Sequence, residues 1–183
     1  MTKSALQAAG WIAAASAALT VPLFVFQLAV ARTGATLLSI SVQLANVLLF
    51  MYVLAKLRAL LLQKQFTRVN SYITAIIGVT LCVQLMALFA TELPFLAVPI
   101  LVGFVLIGVL YLVTGIKLLD FASSLPGLKL VSYAAIVTGV CSASVVFALM
   151  VLPASMVMNI GLAILFFREA QGPEHDAGTP TGS

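Results

Sequence analysis

Five side-chain amides lie within long apolar stretches of the chain, and they are the groups best suited to bind a ligand there. They are Gln27, Gln43, Asn46, Gln84 and Asn159. An amide that faces lipid without a partner costs free energy, so these side chains are expected to point towards other helices. Glu92 lies at the boundary between two apolar stretches, where it is expected to be a solvated loop carboxylate; the alternative is that it marks the mouth of such a cluster.

The amides are predicted at two depths when each apolar stretch is taken as a helix that rises ~1.5 Å per residue. Gln43 and Asn46 come close to the membrane midplane. Gln27, Gln84 and Asn159 come roughly 6–11 Å below the outer surface. Because several helices contribute, the five amides predict a polar path from the outer surface to mid-membrane.

Two interpretations of the amide cluster follow from its residue types. In the first, the amides form an interhelical clamp in which each hydrogen bond contributes about 0.6 kcal/mol and fixes helix register. In the second, they line a cavity that is open to the outer side and accepts an uncharged or weakly polar solute. Access of water to the amides distinguishes the two interpretations.

The sequence carries no pattern typical of catalysis. It has no HExxH motif, no paired carboxylates within an apolar stretch and no glycine-rich phosphate loop. The one histidine, His175, lies between Glu174 and Asp176 in a polar segment near the end of the chain, where a lone histidine is not expected to assemble a metal site. We therefore predict a protein that is not an enzyme and holds no metal or cofactor. Nucleic-acid binding is not expected either, because no face combines Lys/Arg with aromatic residues.

Composition predicts an integral membrane protein. Apolar residues make up 63% of the 183 residues, charged residues make up 8%, and the mean hydropathy is +1.21. Soluble domains usually have about a quarter of their residues charged. The expected location is the cell membrane, with the lipid bilayer as the main partner.

Charge-free stretches predict the helices. They run from Ser4 to Ala31, Thr33 to Ala55, Val69 to Thr91, Leu93 to Ile116 and Leu130 to Phe167. A membrane span needs about 20 residues, so each of the first four stretches predicts one helix.

The last stretch is too long for one helix, and Pro153 marks a break within it. We predict a fifth helix from Leu130 to Val151 and a short sixth helix from Ala154 to Phe167. The sequence thus predicts an all-α, polytopic transmembrane bundle of six helices over residues 1–168. The alternative is five helices. Residues 169–183 are polar and rich in Gly and Pro, and they predict a disordered tail.

Six helices place the basic residues unequally on the two sides of the membrane. Eight fall on one side: Lys3, Lys56, Arg58, Lys64, Arg68, Lys117, Lys129 and Arg168. Arg32 alone falls on the other side. The positive-inside rule therefore predicts that both termini lie in the cytoplasm.

Four of these cations, Lys56, Arg58, Lys64 and Arg68, occupy one short segment between the second and third helices. The first interpretation is that they set the topology; the alternative is that they bind anionic lipid. Further along, the spacing of Lys117 and Asp120 predicts an ion pair at the inner end of the fourth helix.

Small residues at intervals of four predict close helix packing. One stripe is Gly10, Ala14 and Ala18, and a second is Ala135, Gly139 and Ala143. Gly108 and Gly115 mark a face of the fourth helix in the same way. Such stripes let helix backbones approach each other within a bundle, or across a contact between two copies of the chain.

The function predicted from these features is that of a non-catalytic accessory or scaffold subunit in a homo-oligomer or with another membrane protein. The alternative is a small channel or carrier for an uncharged or weakly polar solute, in which the amides form the pathway. A scaffold buries its amides against each other, whereas a carrier exposes them to water.

Overall fold

The computed structural model of the protein describes residues 2–33, 36–89, 93–122, 125, 127–144 and 151–171. Within these residues the chain forms six α-helices and no β-strand. The helices are α1 (Lys3–Thr33), α2 (Thr36–Gln63), α3 (Asn70–Phe89), α4 (Ala97–Leu119), α5 (Leu128–Ala143) and α6 (Val151–Gln171). Short 3-10 turns, Thr67–Val69 and Pro94–Leu96, precede α3 and α4. The prediction of an all-helical protein with six helices is confirmed.

Three helical segments are long and apolar enough to cross a membrane. They are Leu44–Gln63, Thr67–Phe89 and Ala97–Leu119. Between 17 and 28% of the residues in their most apolar windows are buried inside the protein, so most of these side chains face outwards. An apolar exterior of this extent suits lipid rather than water, which supports the prediction of a membrane protein.

The helices form a ring in which each one packs against its neighbours in sequence. Contacts join α1 to α2, α2 to α3, α3 to α4, α4 to α5 and α5 to α6, and α6 returns to pack against α1. Short connections make consecutive helices antiparallel. The beginning of α1 therefore lies beside the end of α6, where Gly10 faces the ring of Phe167.

The break between α5 and α6 differs from the predicted one. Helix α5 ends at Ala143, where Ser144 is extended, and α6 begins at Val151. Pro153 lies inside the first turn of α6 instead of ending the previous helix. A proline is tolerated there because the first N–H groups of a helix have no acceptor within it. The sixth helix is consequently 21 residues long rather than short.

The end of α6 also extends beyond the predicted boundary of the transmembrane domain. The helix continues to Gln171 and so includes the first three residues of the predicted tail, 169–171. The remainder of that tail, including His175, lies outside the described residues.

Glycines allow the backbones of α4 and α5 to touch. A Cβ atom on Gly139 would lie 2.5 Å from the backbone nitrogen of Leu112. One on Gly108 would lie 2.5 Å from the backbone nitrogen of Ala143, and one on Gly115 would lie 2.8 Å from a backbone oxygen in α5. Because no side chain fits at these positions, the glycines fix the distance between the two helices.

Small residues form much of the face of α1 that is buried in the bundle. Ala9, Ala13 and Ala17 are buried, and these lie one residue before the predicted stripe. Within that stripe Gly10 is buried, Ala14 is half-buried and Ala18 is exposed. Small side chains on this face let the backbone of α1 come close to its neighbours, α6 and α2.

The largest buried side chains gather at the end of the bundle where α2, α4 and α6 end. They include Leu60, Leu61, Val69, Ile73, Leu118, Leu128, Leu165 and Phe166. Phe66, in the loop after α2, packs on Phe121, just after α4, with ring centroids 4.4 Å apart. This contact holds the α2–α3 loop against the segment that leads to α5.

Candidate functional site

A chain of polar side chains connects three helices in the interior of the bundle. The Asn159 amide nitrogen in α6 donates a hydrogen bond to Ser16 Oγ in α1, at 3.4 Å. Ser16 Oγ in turn donates to Asn46 Oδ1 in α2, at 3.3 Å. Both distances are at the long end of the range for hydrogen bonds, so each contributes modestly to stability. We call Ser16, Asn46 and Asn159 the polar triad.

The position of Ser16 in α1 explains why the triad forms there. Ser16 lies between Ala13 and Ala17, both of which are buried, and α1 packs against both α6 and α2. Their small side chains bring α6 close enough for Asn159 to reach the serine hydroxyl. One turn later, Thr20 Oγ1 donates to the backbone oxygen of Ser16, at 2.9 Å. That bond satisfies the threonine hydroxyl within its own helix.

The triad lies near the middle of its helices. Ser16 is about 20 Å along α1 from Lys3, at ~1.5 Å per residue. Asn159 is about 12 Å along α6 from Val151. Because both asparagines bind Ser16, Asn159 lies at the depth of Asn46. The sequence placed Asn159 nearer the outer surface, since the predicted sixth helix began three residues later.

Burial leaves one atom of the triad without a partner. Ser16 is 1% exposed and Asn159 is 4% exposed, whereas Asn46 is half-buried. Among the described residues, Asn159 Oδ1 is a buried acceptor that receives no hydrogen bond. A buried acceptor of this kind costs free energy unless a donor such as water reaches it.

Two threonine hydroxyls, one on α4 and one on α5, are buried in the same way without a partner among the described residues. Thr114 and Thr138 are buried, and within the described part of the chain their Oγ1 atoms have no hydrogen-bond partner. Both lie on helices that meet through Gly108, Gly115 and Gly139, a contact that we call the glycine seam. The interior therefore contains polar groups that can donate or accept hydrogen bonds. The triad itself contains no titratable group, so it can bind and orient a neutral molecule but cannot exchange protons.

The structure connects two of the five amides of the predicted cluster. Asn46 and Asn159 meet through Ser16, and Gln84 is half-buried on α3. The side chains of Gln27 and Gln43, and the whole of Glu92, lie outside the described residues. Sequence reasoning missed Ser16, although a signal was present. Ser16 and Thr20 continue the line of Ala9 and Ala13 at helical spacing, so a polar residue was identifiable on the buried face of α1.

The basic residues form a second feature, at the end of the bundle where α1 begins. The same end contains the ends of α2, α4 and α6 and the starts of α3 and α5. We call it the basic end. Eight cations lie in these segments, whereas Arg32 belongs to the last turn of α1, at the opposite end.

Three cations of the predicted basic segment have partners within the chain. Lys56 Nζ lies 5.1 Å from the centre of the Tyr52 ring. The Arg58 guanidinium donates to Asn70 Oδ1, which connects α2 to the start of α3. These two contacts keep both charges close to the protein surface.

The third contact, between Lys64 and Glu169, was not expected, because Glu169 fell in the predicted tail. Lys64 Nζ lies 2.9 Å from Glu169 Oε2, and this ion pair joins the ends of α2 and α6. The fourth cation of the segment, Arg68, is exposed. The ion pair predicted between Lys117 and Asp120 does not form; both side chains are exposed.

Comparison of the chain with protein-family models, curated proteins and solved structures found no match. The polar triad, the glycine seam and the basic end are the features of the protein that bear on its function.

Proposed function

We propose that the protein is a non-catalytic membrane bundle that serves as an accessory or scaffold subunit. In this proposal the six helices all cross the cell membrane, and both termini lie in the cytoplasm. The gathering of eight cations at the basic end supports this orientation, because positively charged segments are retained on the cytoplasmic side.

The polar triad is the observation that carries the scaffold function. Two asparagines deep in the bundle bind the same serine and so connect α1, α2 and α6. Hydrogen bonds of this kind, together with the glycine contacts between α4 and α5, fix how the helices lie against each other. A fixed bundle with an apolar exterior is the property that a scaffold needs.

Association should use faces other than the predicted stripes of small residues. Gly139 packs against α4, and Gly10 packs against α6, so both are occupied within one chain. Gly78 on α3, by contrast, has no atom within 4 Å of the position that its Cβ would take. The scaffold proposal therefore predicts association through outer faces that remain open.

Native mass spectrometry of the full chain, extracted from its own membranes in mild detergent, tests the proposal. We expect complexes of fixed stoichiometry that contain either several copies of the chain or one defined partner. Reconstituted vesicles should at the same time be no more permeable to glycerol or urea than protein-free vesicles. A monomer that raises solute permeability would contradict the scaffold function.

A carrier for an uncharged, hydrogen-bonding solute is the second candidate, and one observation favours it. Asn159 Oδ1 is a buried acceptor without a described partner, and a solute with an N–H or O–H group could donate to it. The test is solute flux into proteoliposomes containing the Asn159→Leu variant. A carrier loses its flux in this variant, whereas a scaffold changes only in stability.

A further inference from the structure

The structure separates the cations of the basic end into two sets. Lys56, Arg58 and Lys64 each have a partner within the chain, as described above. The second set consists of exposed cations that form no ion pair with any described residue: Lys3, Arg68, Lys117, Lys129 and Arg168. We call these five the unpaired cations. Of the four clustered cations that the sequence alone singles out, this set includes only Arg68.

Three unpaired cations lie on segments that contact one another. Arg68 belongs to the 3-10 turn that packs against α4, and the contact between Phe66 and Phe121 holds this loop in place. Lys117 lies in the last turn of α4, and Lys129 lies in the first turn of α5. Asp120 is the one acid among these segments, so the group has a net positive charge.

Apolar side chains continue from these cations along the outside of the bundle. Ile116, next to Lys117, is exposed, and so are Leu130 and Tyr133, which follow Lys129. A soluble anion would use the charges alone. A phospholipid would use both features, because its phosphate meets the cations while its acyl chains lie along the apolar surface.

From this arrangement we infer that Arg68, Lys117 and Lys129 bind the phosphate groups of anionic phospholipids in the leaflet at the basic end. An arginine beside lysines suits the site, because the guanidinium can bind two phosphate oxygens at once. Each cation near an anionic membrane surface increases the preference for anionic lipid by about fivefold. This inference does not depend on the scaffold function, because a carrier would have the same basic end.

Lipid retention by the purified full chain tests the inference. The protein is incubated with equal amounts of phosphatidylglycerol and phosphatidylcholine, and the retained lipids are identified by native mass spectrometry. We expect preferential retention of phosphatidylglycerol at low salt and a clear loss of that preference at high salt. The Lys129→Gln variant should lower the preference by about fivefold. The triple variant Arg68→Gln, Lys117→Gln, Lys129→Gln should abolish it.

Lys64→Gln is the matched control, because it also removes one positive charge. Lys64 is already paired with Glu169, so this variant should retain the preference for phosphatidylglycerol. Thermal unfolding in phosphatidylcholine alone should be the same for wild type and the Gln variants, since the three cations are exposed. The Lys129→Arg variant keeps the positive charge and must preserve the preference, which separates loss of the charge from a change in the fold.

Two results would overturn the inference. One is equal loss of phosphatidylglycerol in Lys64→Gln and Lys129→Gln, because the effect would then come from net charge alone. The other is competition by millimolar inorganic phosphate that removes the lipid preference, because the site would then be one for soluble anions.

Discussion

The two ends of α4 differ in how much protein surrounds them. At the basic end, Leu61, Val69, Leu118 and Leu128 are almost fully buried and come from four different segments. At the opposite end, residues 97–106 of α4 are mostly exposed, and Gly103 is the one buried residue among them.

The short length of α5 explains this difference. Its last residue, Ala143, contacts Gly108 of α4, so the first three turns of α4 extend beyond α5. Packing by protein therefore stabilises the charged end, whereas the described part of the opposite end has a surface suited to lipid. Close packing and hydrogen bonds, rather than apolar character alone, hold helices together in a membrane.

The largest expected effect comes from removing a buried ring at the basic end. Phe166 is fully buried, so Phe166→Ala should lower the free energy of unfolding by about 3–5 kcal/mol. Phe104, which is 46% exposed at the opposite end, provides the control, and Phe104→Ala should cost about 1 kcal/mol or less. Thermal unfolding in one detergent, followed by circular dichroism, measures both. Equal losses would show that the two ends are packed alike.

The glycine seam should give the next largest effect. The added methyl group in Gly139→Ala would lie 2.5 Å from backbone, so we expect a loss of about 2–3 kcal/mol. Gly78→Ala makes the same chemical change in open space on α3. It should be neutral or stabilise by up to about 1 kcal/mol, because alanine favours the helix. Unfolding of the two variants in the same detergent compares them, and a loss in Gly78→Ala would place a further helix against that face.

The polar triad lies between the two ends, and a smaller effect is expected there. Ser16→Ala removes both hydrogen bonds and leaves two amides without their partner, so it should cost about 1–2 kcal/mol. Ser71→Ala, at an exposed position on α3, should change stability by less than about 0.5 kcal/mol. Unfolding in detergent measures the difference between these serines. Equal stability of the two variants would mean that the triad does not connect the helices.

The smallest effect is a gain at the basic end. Gln65 follows α2 in the left-handed region, with φ of 62°, and the N–H groups of Gln65 and Phe66 close the helix onto Leu62 and Leu61. This helix end normally uses glycine, so Gln65→Gly should stabilise the protein by about 0.5–1 kcal/mol. Gln65→Ala retains the backbone strain and should bring no gain. The midpoint of thermal unfolding should rise for Gln65→Gly and stay unchanged for Gln65→Ala.

Composition and charge-free stretches were enough to predict the helices but not where they end. Helix α2 continues well past Ala55 to Gln63, because Lys, Arg and Leu are good helix formers even outside the apolar stretch. The last break was predicted in the wrong place because Pro153 was taken to end a helix. A proline can equally occupy the first turn of the next helix, as Pro153 does in α6. Local sequence does not distinguish these two roles.

The candidate site could be predicted by residue type but not by partner. Asn46 and Asn159 stood out because amides are rare in apolar stretches, whereas Ser16 resembled the alanines around it. The meeting of all three depends on α6 packing against α1, a contact between distant parts of the chain. Likewise, the ion pair of Glu169 with Lys64 could not be predicted from the sequence, because it depends on the end of α6 lying beside the end of α2.

The closure of the ring by α1 and α6 has a consequence for how the protein is made. Ser16 and Asn159 are separated by 143 positions, so α1 leaves the ribosome long before its partner is synthesised. During that interval the serine hydroxyl and the alanine face of α1 lack the partners that they have in the folded bundle. Chains truncated after α5 should therefore leave α1 undocked, so the docking of α6 is the step that closes the ring.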